Sequence, residues 1–185
     1  FKMSLIIKTL IIFLLSTVIV AREKGQTEIT TEDGIEVYQN EKFYLLKKNV
    51  KIVSDNFILN ADDEVKINFD DNLYNITVLK AKGDVDFNSP SLNIHGYGNT
   101  LYFEVKAEKI KVEGVGSKLI TEDVNMYSDG FIEVNNSNGK FSLNGINSKL
   151  KNENILILAQ SIKGIFSNSD SLQEITLLNI VDEKI

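Results

Sequence analysis

The sequence predicts an all-β protein, built as a sandwich, a barrel or a solenoid-like roll. Apolar and polar residues alternate with period two from about residue 35 onward. The runs are short and are separated by Asn, Asp, Gly and Ser in a chain with 1 Pro. After residue 25 no stretch shows a convincing apolar stripe of helical period.

The first segment is of another kind. Leu10 to Ala21 is apolar except for Ser16 and Thr17, with Lys2 and Lys8 before it and Arg22-Glu23-Lys24 after it. A basic start, a short apolar core and a small final residue describe a secretory signal, expected to end near Ala21. Counted from Leu5 the stretch has 17 residues, interrupted by Lys8, at the lower edge of the ~17–25 that span a bilayer. A retained anchor therefore stays open beside a cleaved signal, and either exports the rest. The chain opens on Phe1, and Met3 is a second candidate start. Loss of residues 1–21 removes two lysines and no acid, taking the formal charge from −6 to −8. Residues 22–34 read as a lead-in and 35–182 as one folded domain.

Within that domain Ile35 and Val37 alternate with Glu36 and Tyr38, Val50 and Ile52 with Lys51 and Val53, and Val65, Ile67 and Phe69 with Lys66, Asn68 and Asp70. Ile110 and Val112, then Phe141 and Leu143, continue the pattern. Turns are expected at Ser54–Asn56, Asp70–Asn72, Asn88–Ser91, Ser128–Gly130, Asn135–Gly139 and Asn152–Asn154. Pro90 falls in one of them, where its missing N–H harms no ladder. Only Leu45 to Lys48 is ambiguous between strand and helix.

The pattern repeats. Lys48-Asn49-Val50-Lys51-Ile52 aligns with Gly83-Asp84-Val85-Asp86-Phe87 and with Glu122-Asp123-Val124-Asn125-Met126, the valines lying 35 and 39 residues apart. Apolar residues recur two, seven and nine positions after the first two valines, as Ile52, Phe57, Leu59 and Phe87, Leu92, Ile94, with Ala61 and Gly96 at eleven. The third copy keeps Met126 and Phe131 and then slips to Val134. A second echo pairs Leu73, Ile76, Val78 and Leu79 with Leu172, Ile175, Leu177 and Leu178. No single copy buries its own apolar face, so stacked copies are expected to share one core.

Composition narrows the function. An acidic chain, pI near 4.9, lacks the footprint of a nucleic-acid binder. With 0 Cys there is no disulfide, thiolate nucleophile or Cys-ligated metal. His95 is the sole histidine and reads as an ordinary polar-face residue. Gly96-Tyr97-Gly98 lacks a third glycine and a following helix, so it is no dinucleotide loop. Asp62-Asp63-Glu64 and Asp70-Asp71 lack calcium-site spacing and read as solvated turns. No catalytic constellation or cofactor motif is present, and the chain reads as a non-enzyme. What remains is an apolar inner face: Val50, Ile52, Phe57, Leu59, Val65, Ile67, Phe69, Ile76, Val78, Val85, Phe87, Leu92, Ile94, Leu101, Phe103, Val105, Val124, Met126 and Phe131. The residues leave two readings open, a dry core or a core with a lipid-accessible seam.

Asn49-Val50-Lys51-Ile52 with Phe57-Ile58-Leu59-Asn60-Ala61-Asp62, and Ala81-Lys82-Gly83-Asp84-Val85-Asp86-Phe87, resemble the Gly-Asn-Val … Ala-Asp repeat of the OstA-type lipopolysaccharide-transport family. The likeness covers roughly residues 28–166, and the family's Gly-Asn-Val is kept only loosely. It implies an open β-jelly roll (β-taco) of two facing antiparallel sheets. It also implies a periplasmic, non-enzymatic protein of Gram-negative outer-membrane biogenesis that shields lipopolysaccharide acyl chains between its sheets. Of the family's branches, the soluble LptA-like bridge is expected first and the membrane-anchored LptC-like component second. The implied partners are lipopolysaccharide, other bridge components added at sheet edges, and further copies head to tail. The edge strands are expected near Ile35–Tyr38 and Ile175–Ile180. A structural β-repeat protein that binds no lipid, and an enzyme of envelope glycans, are the other classes.

Overall fold

The computed structural model describes residues 23–166 and the backbone course of 172–180. The expected signal or anchor lies outside the described residues. The strands are β1 Glu28–Thr30, β2 Ile35–Tyr38, β3 Phe43–Lys47, β4 Val50–Val53, β5 Ile58–Ala61, β6 Glu64–Phe69, β7 Ile76–Ser89 and β8 Ile94–Glu104. They continue as β9 Lys109–Glu113, β10 Ser117–Thr121, β11 Asn125–Ser128, β12 Phe131–Asn135, β13 Lys140–Lys151, β14 Leu156–Phe166 and β15 Leu172–Ile180. Every pairing is antiparallel. There is no helix among the described residues. The ambiguous Leu45–Lys48 falls mostly in β3, where Tyr44 and Leu46 point inward.

The long strands hold the architecture together. Residues 76–82 of β7 pair with β6, whereas Asp86–Asn88 pair with β5. β8 pairs with β10 through its first half and with β9 through its second. β13 divides in the same way between β12 and β11, and β14 follows it. Each long strand thus leaves one layer, bends and enters the other. One layer runs β1-β4-β5-β7-β8-β10-β11-β13-β14 and the other β2-β3-β6-β7-β8-β9-β12-β13-β14, with β15 last against β14. Their inner faces meet in one core, and the result is the expected open β-jelly roll of two facing antiparallel layers.

The bends fall along one edge, the spine. Gly83 (φ 84°) and Asp84 (φ 37°) make the break in β7, where the register shifts between Lys82 and Val85. Only glycine fits position 83, since a Cβ there lies 2.8 Å from the Asp63 nitrogen. Spine turns are tied to one another by backbone bonds. Lys48 N–H donates to Asp63 O at 2.8 Å, and Asp62 N–H to Gly83 O at 2.8 Å. Such bulges bend a strand without ending it.

The fold corrects the repeat. In the first layer each hairpin leaves the spine at Val50, Val85, Ser117 or Ser148. Two residues on come Ile52, Phe87, Leu119 and Leu150; seven on, Phe57, Leu92, Val124 and Ile155; nine on, Leu59, Ile94, Met126 and Ile157. Ala61, Gly96, Ser128 and Ala159 stand at eleven. Val124 therefore matches Phe57 and Leu92, not Val50 and Val85, and Ser148 begins a fourth copy. Because Ser117 replaces the valine at the spine, the strongest sequence match was to the other end of the hairpin. The second echo joins equivalent return strands, β7 and β15, of second-layer hairpins.

Candidate functional site

Opposite the spine the two layers end in facing rows of turns, and between the rows lies a seam. The first layer contributes 54–57, 90–93, 122–124 and 152–155, and the second 39–42, 70–75, 105–108 and 136–139. Over the first repeats the seam is shut by rings. Phe57 at the rim meets Phe103 of the opposite layer edge-on at 6.2 Å, and Phe87 packs on both, at 5.6 Å from Phe57 and 5.1 Å from Phe103. Such pairs add about 0.5–1.5 kcal/mol each to their burial.

Further along, the seam opens into a slot of about 290 Å³. Leu92, Ile94 and Val124 of one layer and Val134 and Phe166 of the other form its apolar walls. Its rim is Asn93, Thr121, Glu122 and Asp123 on one side and Asn136–Gly139 on the other. Asn93 Nδ2 donates to Glu122 Oε2 at 2.7 Å, and Phe141 stacks on Phe166 at 4.4 Å. The slot exists because Asn136-Ser137-Asn138-Gly139 brings no apolar side chain to the rim, where other turns bring Leu73 or Val105. That turn is pinned outward: Asn136 N–H donates to Glu108 O at 3.0 Å and Ser137 Oγ to Ala107 O at 3.1 Å.

A second opening lies at the N-terminal end. Thr27, Ile29, Ile35, Val37, Tyr44, Leu73, Tyr74 and Ile76 surround about 200 Å³. Among the described residues β1 pairs with β4 alone and β2 with β3 alone, so both present free edges there, and β15 pairs with β14 alone at the far end. β2 and β15 are the edges the sequence predicts; β1 lies within the expected lead-in. Ile35 and Val37 are about half exposed because no strand packs beyond them.

Charge is divided by position. Lys66, Lys80, Lys111 and Lys163 fall on one cross-strand row of the second layer's outer face. Lys66 sits 3.9 Å above the Phe43 ring and Lys111 4.5 Å above that of Phe131. Acids outnumber bases in the turns along the seam, where Asp55, Asp70, Asp71, Glu108, Glu122 and Asp123 stand beside Lys42 and Lys106. His95 is on the first layer's outer face, its Nε2 2.8 Å from Asp86 Oδ1 and its Nδ1 3.3 Å from the Tyr97 hydroxyl. Gly96-Tyr97-Gly98 lies within β8. Among the described residues no three His, Asp or Glu side chains converge as a metal site. Burial pushes the Tyr44 phenol up to about 12.

Of the predicted inner face, Val50, Ile52, Phe57, Leu59, Val65, Ile67, Phe69, Val85, Phe87, Ile94, Leu101, Phe103, Val124 and Met126 are buried. Ile76, Leu92 and Val105 are partly buried against the same core. Val78 and Phe131 are corrections. Val78 shares the outward side of β7 with Lys80, because a register shift at Asn68/Phe69 restores Ile76 but not Val78 to the inside. Phe131 faces out under Lys111 while Ile132 and Val134 face in. Leu46, Leu79, Ile110, Val112, Leu119, Ile132, Val134, Phe141, Leu143, Leu150 and Ile162 are buried in the same core beyond the inner face that the sequence predicts. The slot's polar rim was legible only as turns.

Fold and seam together define an open β-jelly roll whose apolar interior is sealed by aromatic rings over the first repeats and opens in a slot between the 90–93 and 136–139 turns. A solved structure described as LptH, the LptA-homologous periplasmic component of the lipopolysaccharide transport device of Pseudomonas aeruginosa, is similar in fold. The two share 13% identity at a TM-score of 0.50, over 83% of this chain and 96% of that one. No protein-family model and no curated protein matches the sequence.

Proposed function

We propose that this chain is an exported, periplasmic lipopolysaccharide-binding component of an envelope transport device, LptA-like, acting without catalysis. The observation that carries the reading is the seam: two antiparallel layers whose shared apolar core opens to solvent in a slot at one side, on a fold similar to that of LptH. Burial of hydrocarbon is worth ~0.8 kcal/mol per CH₂, so an acyl chain entering between the layers needs no charged contact. The sugars and phosphates of the lipid stay outside. Partners add at the free edges of β1 and β2 and at β15, by backbone pairing that requires no special side chains. Further copies join head to tail in the same way.

Photo-crosslinking amino acids at Phe57, Phe87 and Phe103 are expected to capture lipopolysaccharide in cells, with Lys80 on the outer face as control. Equal capture at Lys80, or none anywhere, overturns the reading. The unpaired edges also suit a self-assembling β-repeat protein without lipid; delipidated protein that polymerises but takes up no lipopolysaccharide favours that reading. Mass spectrometry of the cellular protein separates the branches. A mass beginning at Arg22 fits the soluble bridge, and an intact N-terminus in the membrane fraction fits an anchored LptC-like component.

A further inference from the structure

We infer that the slot between the 90–93 and 136–139 turns discriminates between lipid headgroups. It admits an acyl chain whose adjoining head is an uncharged sugar or amide, and it rejects one whose head is a phosphate. This rests on the reading that hydrocarbon lies between the layers, and it adds which end of the lipid faces which part of the seam.

Three observations carry it. The walls, Leu92, Ile94, Val124, Val134 and Phe166, are continuous with the core, so a chain entering here passes from water into the interior. Among the described residues that line it, the rim contains two carboxylates, Glu122 and Asp123, and no basic side chain. The remaining rim groups are the neutral side-chain amides and hydroxyls of Asn93, Thr121, Asn136, Ser137 and Asn138; each makes one or more bonds within the protein, and the capacity left over suits sugar hydroxyls and amide links and carries no charge. Glu122 is fixed in place by the 2.7 Å bond from Asn93. A phosphate brought to this rim meets the two carboxylates directly, Lys106 and Lys140 lying outside the lining, and like charges at contact distance repel even in water.

A row of lysines that would welcome a phosphate, Lys66, Lys80, Lys111 and Lys163, stands on the outer face of the second layer. A phosphorylated, multi-acylated glycolipid is therefore oriented on the protein. The neutral side of its sugar meets the slot, and its phosphates point away from the seam.

The chain has 0 Trp, so Asn138→Trp at the exposed rim supplies a single reporter in the exported protein. Dodecyl maltoside and monododecyl phosphate, which share one chain length, are titrated below their micellar concentrations and read by the Trp emission shift. The maltoside is expected to bind saturably and at least about tenfold more tightly than the phosphate, the size of one close like-charge contact at a wet rim. With Glu122→Gln and Asp123→Asn added, the two affinities are expected to fall within about threefold of each other. Equal binding in the parent, or a preference that survives removal of both carboxylates, overturns the discrimination while leaving hydrocarbon binding intact. Binding of neither amphiphile overturns both readings. A crosslinker at Val124 that captures the maltoside, beside one at Lys80 that does not, confirms the place.

Discussion

Gly130→Ala tests whether the spine is as tightly closed as the geometry indicates. Gly130 stands between β11 and β12, and its φ is not in the left-handed region, so the argument is one of space alone. A Cβ at this position lies 2.0 Å from Asn144 O and 2.9 Å from both Asn144 C and Gly145 Cα. All three are backbone atoms of the bend in β13, and none can rotate away. Relief requires the two bends to part. That stretches the bond from Ser128 Oγ to Asn144 O, at 3.2 Å, and loosens the buried Ser128–Ser148 hydroxyl pair at 2.9 Å. Overpacking costs about 1–3 kcal/mol and a lost hydrogen bond about 1 more, so the substitution is expected to destabilise by about 2–4 kcal/mol. For a domain of this size that lowers Tm by roughly 5–15 °C. Gly96→Ala is the control: its Cβ meets only Val112 Cγ1 at 3.3 Å and Ile110 Cδ1 at 3.5 Å, side-chain tips that can shift. Its cost is expected below about 1 kcal/mol, part of it returned by the stiffer unfolded chain. Thermal melts followed by circular dichroism measure both, and equal Tm values for the two variants refute a closed spine.

Other outcomes follow from the same structure. Leu79→Lys places a charge in the core and is expected to abolish folding, whereas Val78→Lys, one residue away on the outer side, is expected to change stability by less than about 0.5 kcal/mol, read from urea unfolding midpoints. The Tyr44 phenol is raised to about 12 from an unfolded value of 10.0, so its stabilisation is whole below pH 10 and is lost as pH rises toward 12; Tyr44→Phe is expected to flatten the alkaline fall in Tm. Asp129 is held below the usual carboxylate range by bonds from Asn147 Nδ2 and the Gly116 N–H. Its contribution is present above the ordinary value of 3.8 and is lost as pH falls through the lower folded value. Asp129→Asn is therefore expected to lose less stability than the parent between pH 4 and pH 2, in acid titrations followed by circular dichroism.

Much of the architecture is legible in local pattern. Alternation places Ile52, Leu59, Ile67, Phe87 and Met126 inside, because a strand's side chains switch faces at each residue. A turn's chemistry is local, and turn residues mark the seam turns at 54–57, 70–75, 90–93, 136–139 and 152–155 but not those at 39–42, 105–108 and 122–124. The failures share a cause. At Val78 the cause is an extra residue in β7 itself, Thr77, between Ile76 and Val78, which puts the two on opposite phases; a shift of one residue turns a side chain to the other face. At Phe131 a spine bend intervenes between the turn and the strand. The third repeat was matched at Val124 because serine occupies the spine position at 117. None of these departures is marked by residue type alone.

By itself, then, the sequence determined that the chain is a stack of antiparallel hairpins with one apolar face. Only the tertiary structure decided which half of each long strand belongs to which layer. It also decided where the seam is sealed, by Phe57 on Phe103, and where it opens, between Val124 and Phe166. Those outcomes depend on contacts between residues far apart in the chain. A turn such as Asn136–Gly139 has the same local chemistry whether it closes a seam or leaves it open.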